Sequence, residues 1–178
     1  MALAVVNYPT LTEKDFQWIQ SVREKYDKLF FNVVAPHFTL VFPTENISFE
    51  LLFKHIQKVV ENFEPFEFVI RCATVGDADF MNHAHLFLIP DEGFSKIVKL
   101  HDAFYRGPLE PELRLDLPFV PHIGIASLPK PKDCRNLADE LNAQNFEIRG
   151  KLETLAIIRY DGLTTETVQR IKLVYPTC

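Results

Sequence analysis

Lysine and arginine never gather into a run in this chain. Nineteen of them stand against 24 acidic residues, a formal net charge of −5, so long-range attraction to a duplex or to long RNA does not dominate its encounters. A duplex is therefore not an expected partner, whereas a small phosphodiester or an RNA end needs only a local positive site. Cysteine is equally sparse. Cys72, Cys134 and Cys178 lie far apart, with no CxxC and no even-numbered framework, which points to reduced thiols and indicates neither a disulfide scaffold nor a zinc site. The opening stretch has no basic segment and reaches Pro9 after too few apolar residues for a signal sequence or a membrane span. The expected compartment is the cytoplasm, with no membrane partner. There is also no low-complexity segment and no linker long enough to separate domains.

What is present is apolar and aromatic. With 47% hydrophobic residues in 178, the chain can bury a substantial core as a single domain, residues 1–178. Sixteen phenylalanines against one tryptophan suit such a core, because Phe is large and carries no polar atom needing a partner.

The order of elements follows from periodicity and punctuation. Residues 2–8 read as a strand ended by Pro9, and Thr10 or Thr12 caps a helix carrying Phe16, Ile19, Val22 and Tyr26 at helical spacing, running to about Leu29. A strand from Pro36 to Phe42 is closed by Pro43. Ser48 or Asn46 opens a second helix through Leu52, Ile56, Val59 and Phe63. Strands follow at 67–74 and 84–89, the latter ended by Pro90, with Gly76-Asp77 as a break between them. Phe94 to Phe104 is helical, 107–116 a loop, and 117–128 a strand. Asp133 caps a helix with Leu137 and Leu141 on one side. Strands at 146–148, 152–160 and 168–175 close the chain, with Asp161-Gly162 as a turn. Strands interleaved with helices and hairpins predict an α+β fold of two sheets with flanking helices.

Two stretches repeat: Pro36-His37-Phe38-Thr39-Leu40 and Pro121-His122-Ile123-Gly124-Ile125. Their histidines, 37 and 122, stand 85 positions apart, close to half the chain, as expected if two similar halves each contribute one copy. Alternating apolar residues place His37 and Thr39 on one strand face. Two imidazoles, with an ordinary pKa of about 6.5, can then serve as general acid and base across a groove near neutral pH. The plainer alternative is a pair of strand histidines, each pinned by a backbone hydrogen bond.

With these motifs the chain resembles the 2H phosphoesterase superfamily, the 2'-5' RNA ligase-like proteins and cyclic phosphodiesterases marked by two His-x-Thr/Ser motifs. The first motif matches fully; in the second, Gly124 stands where Thr or Ser is usual. The resemblance implies a duplicated fold of two pseudo-symmetric, interleaved lobes of antiparallel sheet around a central groove. It also implies a hydrolase of RNA-processing type without a cofactor or metal, a metal-independent phosphodiesterase acting on a 2',3'-cyclic phosphate or a 2'-5' phosphodiester. The ligand is then a nucleotide or RNA terminus, the reaction is reversible as ligation, and the protein is a monomer. His37 and His122 are the expected catalytic pair, and Thr39 the donor to a non-bridging oxygen.

Gly124 either removes a second donor or lets substrate or a water come closer. Ser127 is not a replacement, lying at an odd offset and so on the opposite face unless a bulge intervenes. Tyr8, at the end of the first strand, is placed to stack on a base, and Arg159 and Tyr160, late in another strand, to meet base and phosphate. For these three the ordinary roles are half-buried tyrosines and a solvated arginine. His83 and His85 alternate on one face without a convincing third metal ligand; His55 and His101, on helices, read as surface residues. The alternative function is a non-catalytic binder of nucleotides or RNA ends with a degenerate second motif. A third is a structural protein whose two motifs are merely paired core strands.

Overall fold

A computed structural model describes residues 1–76 and 82–175. Asp77, half of the expected Gly76-Asp77 break, and Cys178 lie outside the described residues. The chain begins with β1 (Ala2–Asn7), a two-residue β2 (Thr10–Leu11) and helix α1 (Glu13–Tyr26). It continues through β3 (Phe38–Thr44), α2 (Phe49–Val60), β4 (Phe66–Val75), β5 (Ala84–Glu92) and α3 (Phe94–Phe104). A 3-10 helix (Gly107–Glu112) leads to β6 (Ile123–Leu128), α4 (Pro131–Asn142), β7 (Ile148–Leu152), β8 (Thr154–Tyr160) and β9 (Thr165–Lys172). The strands form two antiparallel sheets, of order β3-β1-β8-β9 and β2-β7-β4-β5-β6. This is the expected α+β architecture. Each histidine motif feeds an edge strand, β3 in the first sheet and β6 in the second.

One apolar cluster joins the sheets. Phe38 of β3 meets Phe68 of β4 edge-on, with ring centroids 5.1 Å apart, and Leu40, Leu52, Ile56, Ile97, Leu100, Ile123 and Ile157 are fully buried around them. Helix α3 packs on β3 and β5, α1 on β6, and α4 on β4, β5 and β6. On the other face of β1 and β8, Ala4, Val6, Ala156 and Ile158 form a small separate cluster that Tyr8 packs against. That face leads toward His37, because Val6 pairs with Thr39.

Several boundaries differ from expectation for local reasons. Thr12 is the cap of α1, its hydroxyl accepting from the Asp15 N–H at 3.1 Å, while Thr10 belongs to β2. Helix α1 stops at Tyr26 because Asp27 leaves helical geometry and spends its carboxylate elsewhere. Pro43 does not end β3. An edge strand tolerates a missing N–H, and the same strand has its outward groups covered by α3: Phe42 donates to the Tyr105 hydroxyl at 2.9 Å and the Leu40 carbonyl meets His101 Nδ1 at 3.0 Å.

Pro90 sits within β5 beside a register irregularity opposite Ile70. β6 starts only at Ile123, since Pro118 and Pro121 interrupt any earlier ladder. Asp133 lies in the first turn of α4 rather than at its cap, and Pro131 opens the helix. β9 begins at Thr165, earlier than expected, because Asp161 accepts from the Leu163 and Thr164 N–H groups and starts pairing at once. His101, expected on the surface as a polar helix residue, is a core residue, 3% exposed, with Phe119 stacked on it at 3.6 Å; its spacing from Ile97 and Phe104 puts it on their face of α3. No helix among the described residues is long and apolar enough to cross a membrane.

Gly93 caps α3 with φ +82°, and a Cβ there would lie 2.8 Å from Phe68 Cβ and 2.9 Å from the Glu67 carbonyl oxygen. Gly93→Ala is therefore expected to cost about 1–3 kcal/mol, read as a lower urea midpoint at unchanged slope.

Candidate active site

Both histidines stand one residue before their strands, and both are held alike. Nδ1 of His37 lies 2.8 Å from the Ala35 carbonyl, and Nδ1 of His122 lies 2.7 Å from that of Val120. In each case the carbonyl belongs to the residue two positions earlier. A carbonyl only accepts, so each Nδ1 carries the proton and each Nε2 presents its lone pair. The repeated Pro-His dipeptide thus produces the same tautomer twice. His37 Nε2 receives the Thr39 hydroxyl at 3.1 Å, the contact expected from their shared face. Nε2 of His122 has no hydrogen-bond partner among the described residues.

The two rings are within electrostatic reach. Burial holds His37 down to about 4, opposed by the Ala35 carbonyl and reinforced by the charges of Arg23 and His122. His122 is also lowered, chiefly by burial, with the Val120 carbonyl opposing and His85 adding to it. Each ring is only half-buried by exposed area, so solvent reaches one side while protein surrounds the rest. Both imidazoles are neutral at rest near pH 7. A bound phosphate anion would counter that burial and draw a proton onto one of them.

The walls are aromatic and cationic. Tyr8 meets the His37 ring at 6.2 Å edge-on, and Arg170 of β9 lies 5.7 Å above the Tyr8 ring. Burial raises the Tyr8 hydroxyl, partly offset by Thr167, the Arg170 charge and Thr165. On the other side Phe87 of β5 stacks on His122, with centroids 3.8 Å apart. Phe87 pairs with Gly124 across β5 and β6, and a Cβ on Gly124 would meet nothing within 4 Å. The space beside the second motif is open, not filled by a neighbour.

Tyr8, His37 and Thr39 therefore lie together, His122 is within electrostatic reach of His37, and Gly124 follows His122 into β6. Arg159 and Tyr160 lie apart. They pair with Leu3 and Ala2, at the end of β1 away from Tyr8, where Arg159 lies 3.6 Å from Glu166 and the Tyr160 hydroxyl donates to the Gly162 carbonyl. Their place is taken by Arg170, Thr165 and Thr167 from the next strand. Simple alternation along β9 sets Arg170 on the face opposite Thr165 and Thr167; the register shift between Ile157 and Ile158 in the β8–β9 ladder brings all three to one face.

Ser127 also differs from expectation. A register shift between Leu86 and Phe87 pairs Gly124 with Phe87 and Ser127 with His85, so the bulge restores Ser127 to the face of Gly124. Its hydroxyl is nonetheless spent, donating to Asp27 Oδ1 at 2.8 Å in the interior. No group of three or more metal-ligating side chains occurs among the described residues. Two clefts, of about 660 Å³ between α2 and α3 and about 340 Å³ near Tyr160, are lined by neither His37 nor His122.

Known proteins share this architecture. The sequence profile of the 2'-5' RNA ligase superfamily matches residues 11–164. TT0787 of Thermus thermophilus superposes with a TM-score of 0.66 at 17% identity, covering 97% of this chain and 98% of its own. LigT of E. coli, solved in complex with 3'-AMP, gives 0.56 at 15% identity over 98% of both chains. Usb1 of Kluyveromyces marxianus gives 0.55 at 11% over 98% of both. Comparison with curated protein sequences gives no match.

The low His37 value makes stability depend on pH. An unfolded chain takes this proton near 6.5, the folded one only near 4, so between these values the unfolded state binds more protons and stability falls as pH falls. Above 6.5 the contribution is complete. At about 1.4 kcal/mol per pH unit its ceiling is about 3 kcal/mol, reduced by solvent on the open side. His101 and His122, both lowered by burial, act in the same direction. Urea titrations at pH 7.5 and 4.5 are expected to show a smaller pH-dependent loss for His37→Asn than for the parent chain; equal losses would contradict the burial argument.

Proposed function

The chain belongs to the 2'-5' RNA ligase superfamily, a group of 2H phosphoesterases, and from that membership we propose that it hydrolyses a 2',3'-cyclic phosphate or a 2'-5' phosphodiester at a nucleotide or RNA end. The observation that carries this reading is the matched pair of Nε2 lone pairs, each set by a carbonyl two residues upstream. One imidazole takes the proton of the attacking water as the new P–O bond forms. The other, protonated, gives its proton to the ribose oxygen as the old P–O bond breaks. The exchanged protons then return to equilibrium with solvent; with a ribose hydroxyl in place of water, the same two proton transfers form a phosphodiester as one ring P–O bond of the cyclic phosphate breaks, which is ligation.

The remaining wall residues supply binding. The Thr39 hydroxyl, resting on His37 Nε2, turns to a non-bridging oxygen once substrate is in place. Tyr8 and Arg170 offer a ring and a guanidinium to a base and a phosphate. LigT, which shares the fold, has been solved with 3'-AMP, a ligand with that pair of groups. Proton transfer by two imidazoles calls for no metal, so hydrolysis of a nucleoside 2',3'-cyclic phosphate is expected to persist with chelator present. His37→Ala and His122→Ala are each expected to lower kcat by about a hundredfold or more; unchanged rates in both would defeat the assignment.

A non-catalytic role in binding nucleotides or RNA ends is favoured by one observation, the missing hydroxyl at Gly124. The open space there admits a side chain without strain. Gly124→Thr is expected to keep stability within about 0.5 kcal/mol and to raise the rate about tenfold or more, the scale of one added donor. Binding of a nucleoside monophosphate with no turnover in either form would establish the binder instead.

A further inference from the structure

Beneath the groove runs a line of buried polar side chains that the chemistry above does not use. Arg23 is 2% exposed, Asp27 3%, Ser127 4% and His85 5%. A guanidinium taken from water is costly unless its donors are met, and those of Arg23 are. Nε reaches Asp27 Oδ2 at 3.3 Å and Nη1 reaches Gln20 Oε1 at 3.1 Å, while Nη2 reaches the carbonyls of Phe30 and Val34 at 3.0 and 2.7 Å. Asp27 Oδ1 accepts from the Phe30 N–H at 3.3 Å and from Ser127. Because the serine proton is given to Asp27, the 3.1 Å contact between Ser127 Oγ and His85 Nδ1 requires that His85 donate.

The two ends of this line stop at the two histidines. Val34, gripped by Arg23, immediately precedes Ala35, whose carbonyl fixes the His37 tautomer. At the far end the His85 ring lies 6.2 Å from Phe87, nearly parallel to it, and Phe87 is the bed of His122. Asp27 and Ser127 also form a parallel backbone bridge, so the helix α1 side and the β5–β6 side are clamped at one point. We propose that Arg23, Asp27, Ser127 and His85 act together as the positioning device of the site, setting the approach to His37 on one side and the Phe87 bed under His122 on the other. None of the four touches substrate. This inference rests on the reading of His37 and His122 as the acid–base pair.

The charged and titratable groups facing His37 are Arg23 from α1, His122 from the approach to β6 and Tyr8 after β1, with Arg170 beyond it; His122 is faced by His85 from β5. Removing the serine hydroxyl cuts the line at its centre. His85 then loses its contact with Ser127 and Asp27 its shortest hydrogen bond, so the link from Asp27 to the Phe87 bed under His122 is broken. Arg23→Lys keeps the charge but lacks the fork that grips two carbonyls and a carboxylate together.

The test uses the whole chain carrying Ser127→Ala or Arg23→Lys, each melted to establish that it is folded. In a folded variant, kcat on a nucleoside 2',3'-cyclic phosphate is expected to fall about tenfold or more with KM within about twofold, since small misplacement of reacting groups costs on that scale. In parallel, the His37 and His122 ring resonances followed by NMR against pH are expected to move their midpoints. A variant that melts lower yet keeps both kcat and the two midpoints overturns the proposal and leaves the line a structural strut. Should the parent chain turn over no cyclic phosphate, the acid–base reading has failed separately; the ring titrations then decide alone, shifted midpoints supporting the positioning role and unmoved ones overturning it.

Discussion

A hydrogen bond from each histidine to the carbonyl two residues before it is the constraint from which the rest of this site follows. It costs the chain only a short turn at a Pro-His dipeptide, yet it settles which ring nitrogen holds the proton, and hence which nitrogen faces the groove. Everything placed around the rings acts on that remaining nitrogen. Thr39 occupies it on one side; on the other, Gly124 at the matching position brings no hydroxyl. The symmetry of the two halves is therefore strict in the tautomers and broken in what the exposed lone pairs meet.

The second consequence is electrostatic. Burial by the surrounding strands keeps both rings uncharged at rest, and the interior guanidinium of Arg23 adds to this at His37. A neutral pair costs the fold less than a charged one in such a place. An anion placed beside either ring would offset that burial and raise its pKa. Arg170 over Tyr8 adds a cation at the rim, where solvent keeps its own cost small.

Much of this is legible in the amino-acid order. The repeat at 37 and 122, the shared face of His37 and Thr39, and the alternation of strands and helices depend on local pattern, and local pattern survives into the fold. What is not legible depends on register. Arg159 and Arg170 both look like strand-borne arginines, and only the pairing of β8 with β1 and β9 reveals that the first is remote and the second beside Tyr8. Ser127 falls on the wrong face in a simple alternation because one skipped residue in the β5–β6 ladder reverses parity. His101 and Arg23 escape sequence reasoning for a different reason: a polar residue on a helix reads as exposed until the acceptors that let it be buried are known.

The covering of β3 by α3 has an effect on association. An outermost strand normally offers alternate donors and acceptors to any extended peptide that drifts alongside. Here the Phe42 donor is taken by a tyrosine hydroxyl and the Leu40 acceptor faces an imidazole, while Pro43 has no N–H to give. A foreign strand laid along that margin would find no complementary ladder between residues 40 and 43, so the helix that packs the core also guards the sheet against being extended by another polypeptide.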